Sequence, residues 1–177
     1  SNISNEELIE AVKELELDEI VDILQNLPEE RMNKILSNMS LVDRKRIEIG
    51  LTFPDNTAGG LLNTDVISVR PNNSINEVIS YLRDQMDLPE NTDKIFVVNN
   101  ENEYLGELLI SKIITSKPTM LVREIMETEL LPIDADLDDK EVATLFERND
   151  LISASVVDKD GKLIGRITID DVVDVIR

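Results

Sequence analysis

Apolar positions along this chain keep two different periods. Through the first fifty residues they recur at helical spacing, as in Leu8, Ile9 and Val12, and again in Met32, Ile35 and Leu36. Polar starts precede these runs. Ser4 with Glu7 reads as a capping box, Pro28 suits the first turn of a helix, and Ser40 with Asp43 opens a further helix expected to end near Gly50. Four short helices are therefore predicted, with a thin shared core. Beyond residue 65 the pattern changes to short apolar stretches typical of strands. These are predicted near 66–70, 94–99, 104–110, 131–134, 153–158 and 163–169, with helices near 75–86, 138–149 and 170–177. Ser74 with Glu77 and Asp138 with Glu141 mark two of the helix starts.

The strand-like stretches are duplicated. KIFVVNNENEYLGELLISKII (Lys94 to Ile114) returns as SASVVDKDGKLIGRITIDDVV (Ser153 to Val173), so Val98 matches Val157 and Gly106 matches Gly165 at an offset of 59. Upstream, Val78 matches Val142 at an offset of 64, because the first copy carries five extra residues near DLPENTD. Each copy reads as strand, polar turn, Gly-bearing strand and helix. A repeat too small to bury both faces of its sheet stacks on its copy, and the cleft between copies is a natural ligand site.

Composition narrows the class of function. The chain of 177 residues contains no Cys and no His, which removes thiol and imidazole chemistry, disulfides and the usual zinc sites. No apolar run reaches the ~18 residues needed to span a bilayer, and the opening residues lack the apolar core of a secretory signal. Ser1-Asn2 has the look of an expression scar. With 18 basic and 37 acidic residues the formal charge is −19, which excludes nucleic acid as a natural partner. The charge is spread, at −6 for residues 1–52, −5 for 53–118 and −8 for 119–177. Acidic modules folded together repel one another at low ionic strength, and hard divalent cations between them relieve the repulsion.

Carboxylates are densest at Asp170, Asp171 and Asp174. On a helix, 171 and 174 are neighbours three apart and 170 and 174 four apart, so all three crowd the same start. The helix dipole accounts for Asp170 and Asp171, less well for Asp174. Mg²⁺ takes one or two carboxylates and keeps several waters, so pairs of acids from different modules suffice to hold it. Asp158-Lys159-Asp160-Gly161 begins like a calcium loop but lacks its later ligands, and reads as a hairpin turn, as does its counterpart Asn99 to Glu103.

Between the helical module and the repeat lies FPDNTAGGLLNTD (Phe53 to Asp65). By itself it reads as a linker, with Asp55 or Thr57 capping a short helical turn. It also resembles the segment that leads into the regulatory CBS pair of MgtE-type magnesium channels, and GRITIDDVVDVI resembles the end of that pair's second motif. The resemblance covers nearly the whole chain. It implies an α+β fold, with a small α-helical N-terminal module followed by a tandem CBS-domain pair of βαββα repeats. The divisions are 1–52 for the remainder of the N domain, 53–65 for the linker, 66–118 for CBS repeat 1 and 119–177 for CBS repeat 2.

What the resemblance implies for function is cytosolic Mg²⁺ sensing beside a transmembrane domain, at the cytoplasmic face of the membrane, by a homodimer joined through its CBS repeats. Val78, Ile79 and Leu82, with Val142, Leu145 and Phe146, supply apolar helical faces for that dimer. Carried over by position, Asp171, Asp174, Asp150 and Asp138 match metal-lining carboxylates, and Asp55 and Asp170 join them as candidates. Lys140 departs from the pattern beside Asp138. The competing use of a CBS cleft is adenine-nucleotide sensing. Gly165, Thr168 and Asp171 keep the nucleotide signature, whereas the first repeat has Leu109 and Lys112 there, which makes ATP binding doubtful. No enzyme is expected, since paired acids such as Asp170 and Asp171 stand without a nucleophile or oxyanion hole.

Overall fold

The computed structural model describes residues 4–12, 15 and 17–177. Four helices open the chain: α1 (Asn5–Val12), α2 (Leu17–Gln25), α3 (Glu29–Ser37) and α4 (Leu41–Thr52). Their starts follow the expected chemistry. The Ser4 N–H donates to Glu7 Oε2 at 3.0 Å while the Glu7 N–H donates to Ser4 Oγ, and Ser40 Oγ accepts from the Asp43 N–H. Leu8, Ile20, Leu24, Ile35, Leu36 and Ile47 close into one core. Gly50 does not end α4 but lies inside it, where an added Cβ would stand 2.6 Å from Val21 Cγ2. Small size at the α2–α4 contact, not chain termination, is its role. Ser1-Asn2 lies outside the described residues.

A short α5 (Ala58–Leu61) leads into two copies of one unit. The first is β1 (Ser68–Val69), α6 (Ile75–Asp84), β2 (Lys94–Val98), β3 (Tyr104–Leu109) and α7 (Ile110–Thr115). After α8 (Val122–Ile125) the second follows as β4 (Ile133–Asp134), α9 (Asp139–Asn149), β5 (Ser153–Val157), β6 (Leu163–Thr168) and α10 (Ile169–Ile176). Each sheet has a parallel first pair and an antiparallel second pair, with the same irregularity one residue before the end of the middle strand. The order is βαββα twice, as expected.

The copies exchange their edges. Asn63, ahead of repeat 1, pairs with Arg166 on β6 of repeat 2, and Glu127, ahead of repeat 2, pairs with Glu107 on β3 of repeat 1. This explains the matched glycines. A Cβ on Gly165 would lie 2.5 Å from the Asn63 carbonyl oxygen, and one on Gly106 would lie 2.8 Å from that of Glu127. Gly is the residue that admits a backbone this close. The sheets meet through Phe96, Val98 and Leu163, with Val66 and Tyr104 around them. The two hairpin tips are stitched together as well, the Tyr104 N–H donating to Gly161 and the Leu163 N–H to Asn102.

Two expectations change at this level. The helical faces assigned to a dimer are already covered, since Val78, Val142 and Phe146 are at most 1% exposed and sit in the cores of their own repeats with Ile79, Leu82 and Leu145 beside them. Amphipathic spacing shows that a face is buried, not which partner buries it. The segment read as a linker is docked on repeat 2: the Ala58 and Gly59 N–H groups donate to the Leu137 and Ala135 carbonyls, and the Asp139 N–H donates to Asn56. Gly59 leaves room for the Phe53 ring and Gly60 for the main chain of Asp55. Among the described residues no helix is long and apolar enough to cross a membrane.

Candidate functional site

The six candidate carboxylates fall in three places. Asp170, Asp171 and Asp174 lie on the first turns of α10. Asp138 is the N-cap of α9 and Asp150 its C-cap, so α9 itself separates them by about 18 Å at 1.5 Å per residue. Asp55 stands exposed on the turn beside Asp138, where Thr57 and Asp138 form a bridge. Among the described residues no three carboxylates converge on one point. The donor type suits a hard divalent cation that keeps most of its waters, because exposed carboxylate oxygens are its preferred ligands.

Each acid also has local work. Asp138 accepts from the Lys140 N–H at 2.9 Å, one residue short of the Glu141 position expected of a capping box. Asp150 takes the left-handed conformation with φ 50°, which Asp tolerates better than most residues and which ends α9. Asp171 is the most engaged. Its Oδ2 accepts from Thr168 Oγ1 at 3.1 Å, from the Thr168 N–H at 3.4 Å and from Asn63 Nδ2 at 3.0 Å. It therefore caps α10 and fastens the crossing segment of repeat 1. Asp170 is exposed and accepts from Asn91 Nδ2 at 2.8 Å, whereas Asp174 is exposed one turn on.

The signature pair Thr168 and Asp171 is thus joined internally, with Thr168 only 5% exposed. In repeat 1 the corresponding positions are Leu109 at the end of β3 and Lys112, exposed on α7. Between the sheets, Tyr104 donates to Glu107 Oε2 at 3.0 Å, and Lys94 Nζ lies 3.6 Å from the same oxygen. Burial, and then the Glu107 charge, push the Tyr104 hydroxyl well above its usual range, against a hydrogen bond from Ser155 that lowers it. It stays a proton donor at any physiological pH.

A cleft of about 1000 Å³ separates the N-terminal helices from the 55–64 segment, lined among others by Asp43, Arg46, Asp55, Asn63 and Thr64. Arg46 Nε spans it to Thr64 Oγ1 at 3.2 Å. Reasoning from spacing did not single out Arg46 or Arg166. The signal for the second was a lone cation inside the apolar strand Leu163–Thr168.

Two exchanged repeats behind a helical module make this a CBS pair with an N-terminal helical domain. The CBS-domain family matches residues 58–117 and 122–177, and the MgtE intracellular N domain matches residues 1–56. The chain belongs to the MgtE family, as its N domain and CBS pair. It is 32% identical over 164 residues to the magnesium transporter MgtE of Thermus thermophilus, covering 91% of this chain and 36% of that protein. To the magnesium transporter MgtE of Bacillus subtilis it is 25% identical over 166 residues, covering 94% of this chain and 37% of that protein. The chain thus spans about a third of the length of these relatives.

Among solved structures, the cytosolic domain of the Mg²⁺ channel MgtE in complex with ATP superposes with a TM-score of 0.77 at 30% identity, covering 98% of this chain and 71% of the other. A CBS pair domain from Shewanella oneidensis has the same fold, with a TM-score of 0.80 at 20% identity over 94% of this chain and 96% of the other. The ATP complex of the first stands against the expectation, drawn from Lys112, that nucleotide binding is doubtful.

Proposed function

We propose that this chain is the Mg²⁺-sensing regulatory region of a magnesium channel, lying at the cytoplasmic face of the membrane beside its own transmembrane domain. The observation that carries the reading is the start of α10. Three carboxylates stand there, and two of them are fastened to repeat 1, Asp171 through Asn63 and Asp170 through Asn91. Neutralising or bridging these acids alters how repeat 1 sits on α10. Without the cation, repulsion within a chain of charge −19 favours an open arrangement; with it, the N domain and the CBS pair draw together. The 1000 Å³ cleft beside Asp43 and Asp55 is the space such closure would consume. The closed form then draws the helix beyond the pair toward a pore-closing position. The region performs no catalysis.

Homodimerisation belongs to the same reading. Because Val142 and Phe146 are spent on the core, the dimer surface has to use exposed apolar side chains such as Tyr81 on α6, Ile114 on α7 and Ile176 on α10. A second reading, adenine-nucleotide sensing, is favoured by the ATP complex of a relative at 30% identity. Calorimetric titration with Mg²⁺, and separately with ATP and AMP in EDTA, separates the two. Saturable heat with Mg²⁺ supports the first; nucleotide heat alone would replace it with the second.

A further inference from the structure

Residues 1–52 carry a charge of −6 and residues 53–118 a charge of −5, and the junction of the two forms the walls of the 1000 Å³ cleft. Acids stand on both walls, Asp43 on α4 and Asp55 on the segment opposite. Like charges push such walls apart at low ionic strength. Among the described residues that line the cleft there is one cation, Arg46. It belongs to a run of three basic residues on α4 that are used differently. Arg44 turns along the helix, its Nε 3.8 Å from Glu48 Oε1, and Lys45 is exposed. Arg46 instead leaves the helix, and its Nε donates to Thr64 Oγ1 at 3.2 Å.

The acceptor sits on a fixed point of the repeat pair. Thr64 follows Asn63, whose main chain both donates to and accepts from Arg166 on β6 and whose side chain donates to Asp171 on α10. The other end of the same segment is fixed on repeat 2 through Ala58 and Gly59. On the helical side, Arg46 lies one turn ahead of Ile49, which with Phe53 packs against the core of repeat 2. That apolar contact holds the end of α4 and leaves the helix able to swing about it. A bond at Arg46 fixes a second point and stops the swing. The guanidinium is always charged and carries five donors, of which only the Nε–H is committed among the described residues. The remainder of its charge therefore lies in the cleft that Asp43 and Asp55 also line.

We propose that Arg46 is a built-in cation that clasps the helical module to the repeat pair through Thr64 and keeps the cleft from opening when no metal is bound. Its consequence rests on the Mg²⁺ reading above. A module already held near closure needs less from the ion, so the clasp lowers the Mg²⁺ concentration at which the cleft closes.

The chain has no Cys, so Lys34→Cys on α3 and Lys159→Cys on the second hairpin turn take a fluorophore pair that reads the distance between module and repeats. Thr64→Val removes the acceptor at constant charge and nearly constant shape. In EDTA it should lengthen that distance, and it should raise the midpoint of Mg²⁺-dependent closure about threefold while leaving the distance at saturating Mg²⁺ unchanged. Thr64→Ser keeps the hydroxyl and should behave as the parent. Arg46→Gln should open the cleft at least as far as Thr64→Val, whereas Arg44→Gln, the same change of charge on the same helix, should not. A parent-like distance for Thr64→Val in EDTA, or equal opening by Arg44→Gln, would overturn the proposal. Opening of Thr64→Val in EDTA with no Mg²⁺ response in the parent supports the clasp and removes the metal reading. Closure of the parent by Mg²⁺ with no effect of Thr64→Val removes the clasp and leaves the metal reading in place.

Discussion

Replacing Asp171 by Ala removes three contacts from one oxygen while leaving the helix around it intact. The bond to the Thr168 N–H and the carboxylate at the start of α10 are together worth about 1 kcal/mol. The charge-assisted bond from Asn63 Nδ2 adds about 1.5 kcal/mol. A loss of about 2.5 kcal/mol lowers the melting temperature of a chain this size by about 5–10 °C. Asp174 is exposed on the same helix, so Asp174→Ala should stay within about 0.5 kcal/mol. Melts followed by circular dichroism in EDTA make the comparison. A double-mutant cycle with Asn63→Ala should show coupling of about 1 kcal/mol between 63 and 171. Equal effects at 171 and 174, or no coupling to Asn63, would refute the assignment of Asp171 as the fastener between the repeats. The consequence for metal binding is practical: a role for Asp171 in Mg²⁺ sensing has to be read from the Mg²⁺-dependent increment, since the metal-free protein is itself weakened.

Other outcomes follow from the packing. Gly165→Ala presses a Cβ onto the Asn63 carbonyl and Leu62 and should destabilise by about 1–3 kcal/mol in urea unfolding. Phe146→Ala, at a fully covered position, should cost about 3–5 kcal/mol without changing the association constant measured by sedimentation; a changed constant would return this face to the dimer. The folded state holds the Tyr104 proton more tightly than the unfolded chain, whose tyrosines ionise near pH 10. The stability it contributes is therefore present below about pH 10 and lost as pH rises further, and Tyr104→Phe should remove that alkaline slope from pH-dependent melts.

Local chemistry made most of the fold readable. Strands at 94–98, 104–109, 153–157 and 163–168 lie where the apolar stretches placed them, and the Ser74–Glu77 capping box is present. The Asp158 to Gly161 turn is tied by Asp158 Oδ1, as a hairpin reading requires. What depended on distant approach was not readable. Edge exchange by Asn63 and Glu127 left only an indirect trace, a glycine in each of two strands. The PDNTAGG segment looked like a linker because its Pro, Asn and Gly serve turns equally well; here they dock it on repeat 2. The candidate acids were nameable from the chain, but not their prior engagements. Helix geometry places Asp171 beside Asp174, while only the fold shows that Asn63 already holds one of the two. The segment over 85–93 was visible as five extra residues, and its hydrogen bonds with Arg166 were not.

Small-angle scattering tests the central claim most directly, by comparing the chain in EDTA, in millimolar Mg²⁺ and in NaCl at matched ionic strength. If cations bridge acids of different modules, Mg²⁺ reduces the radius of gyration and NaCl reproduces only part of the change, because screening weakens repulsion but joins nothing. Identical curves in Mg²⁺ and matched NaCl would contradict metal sensing and leave the carboxylates of α10 as ordinary helix-start acids.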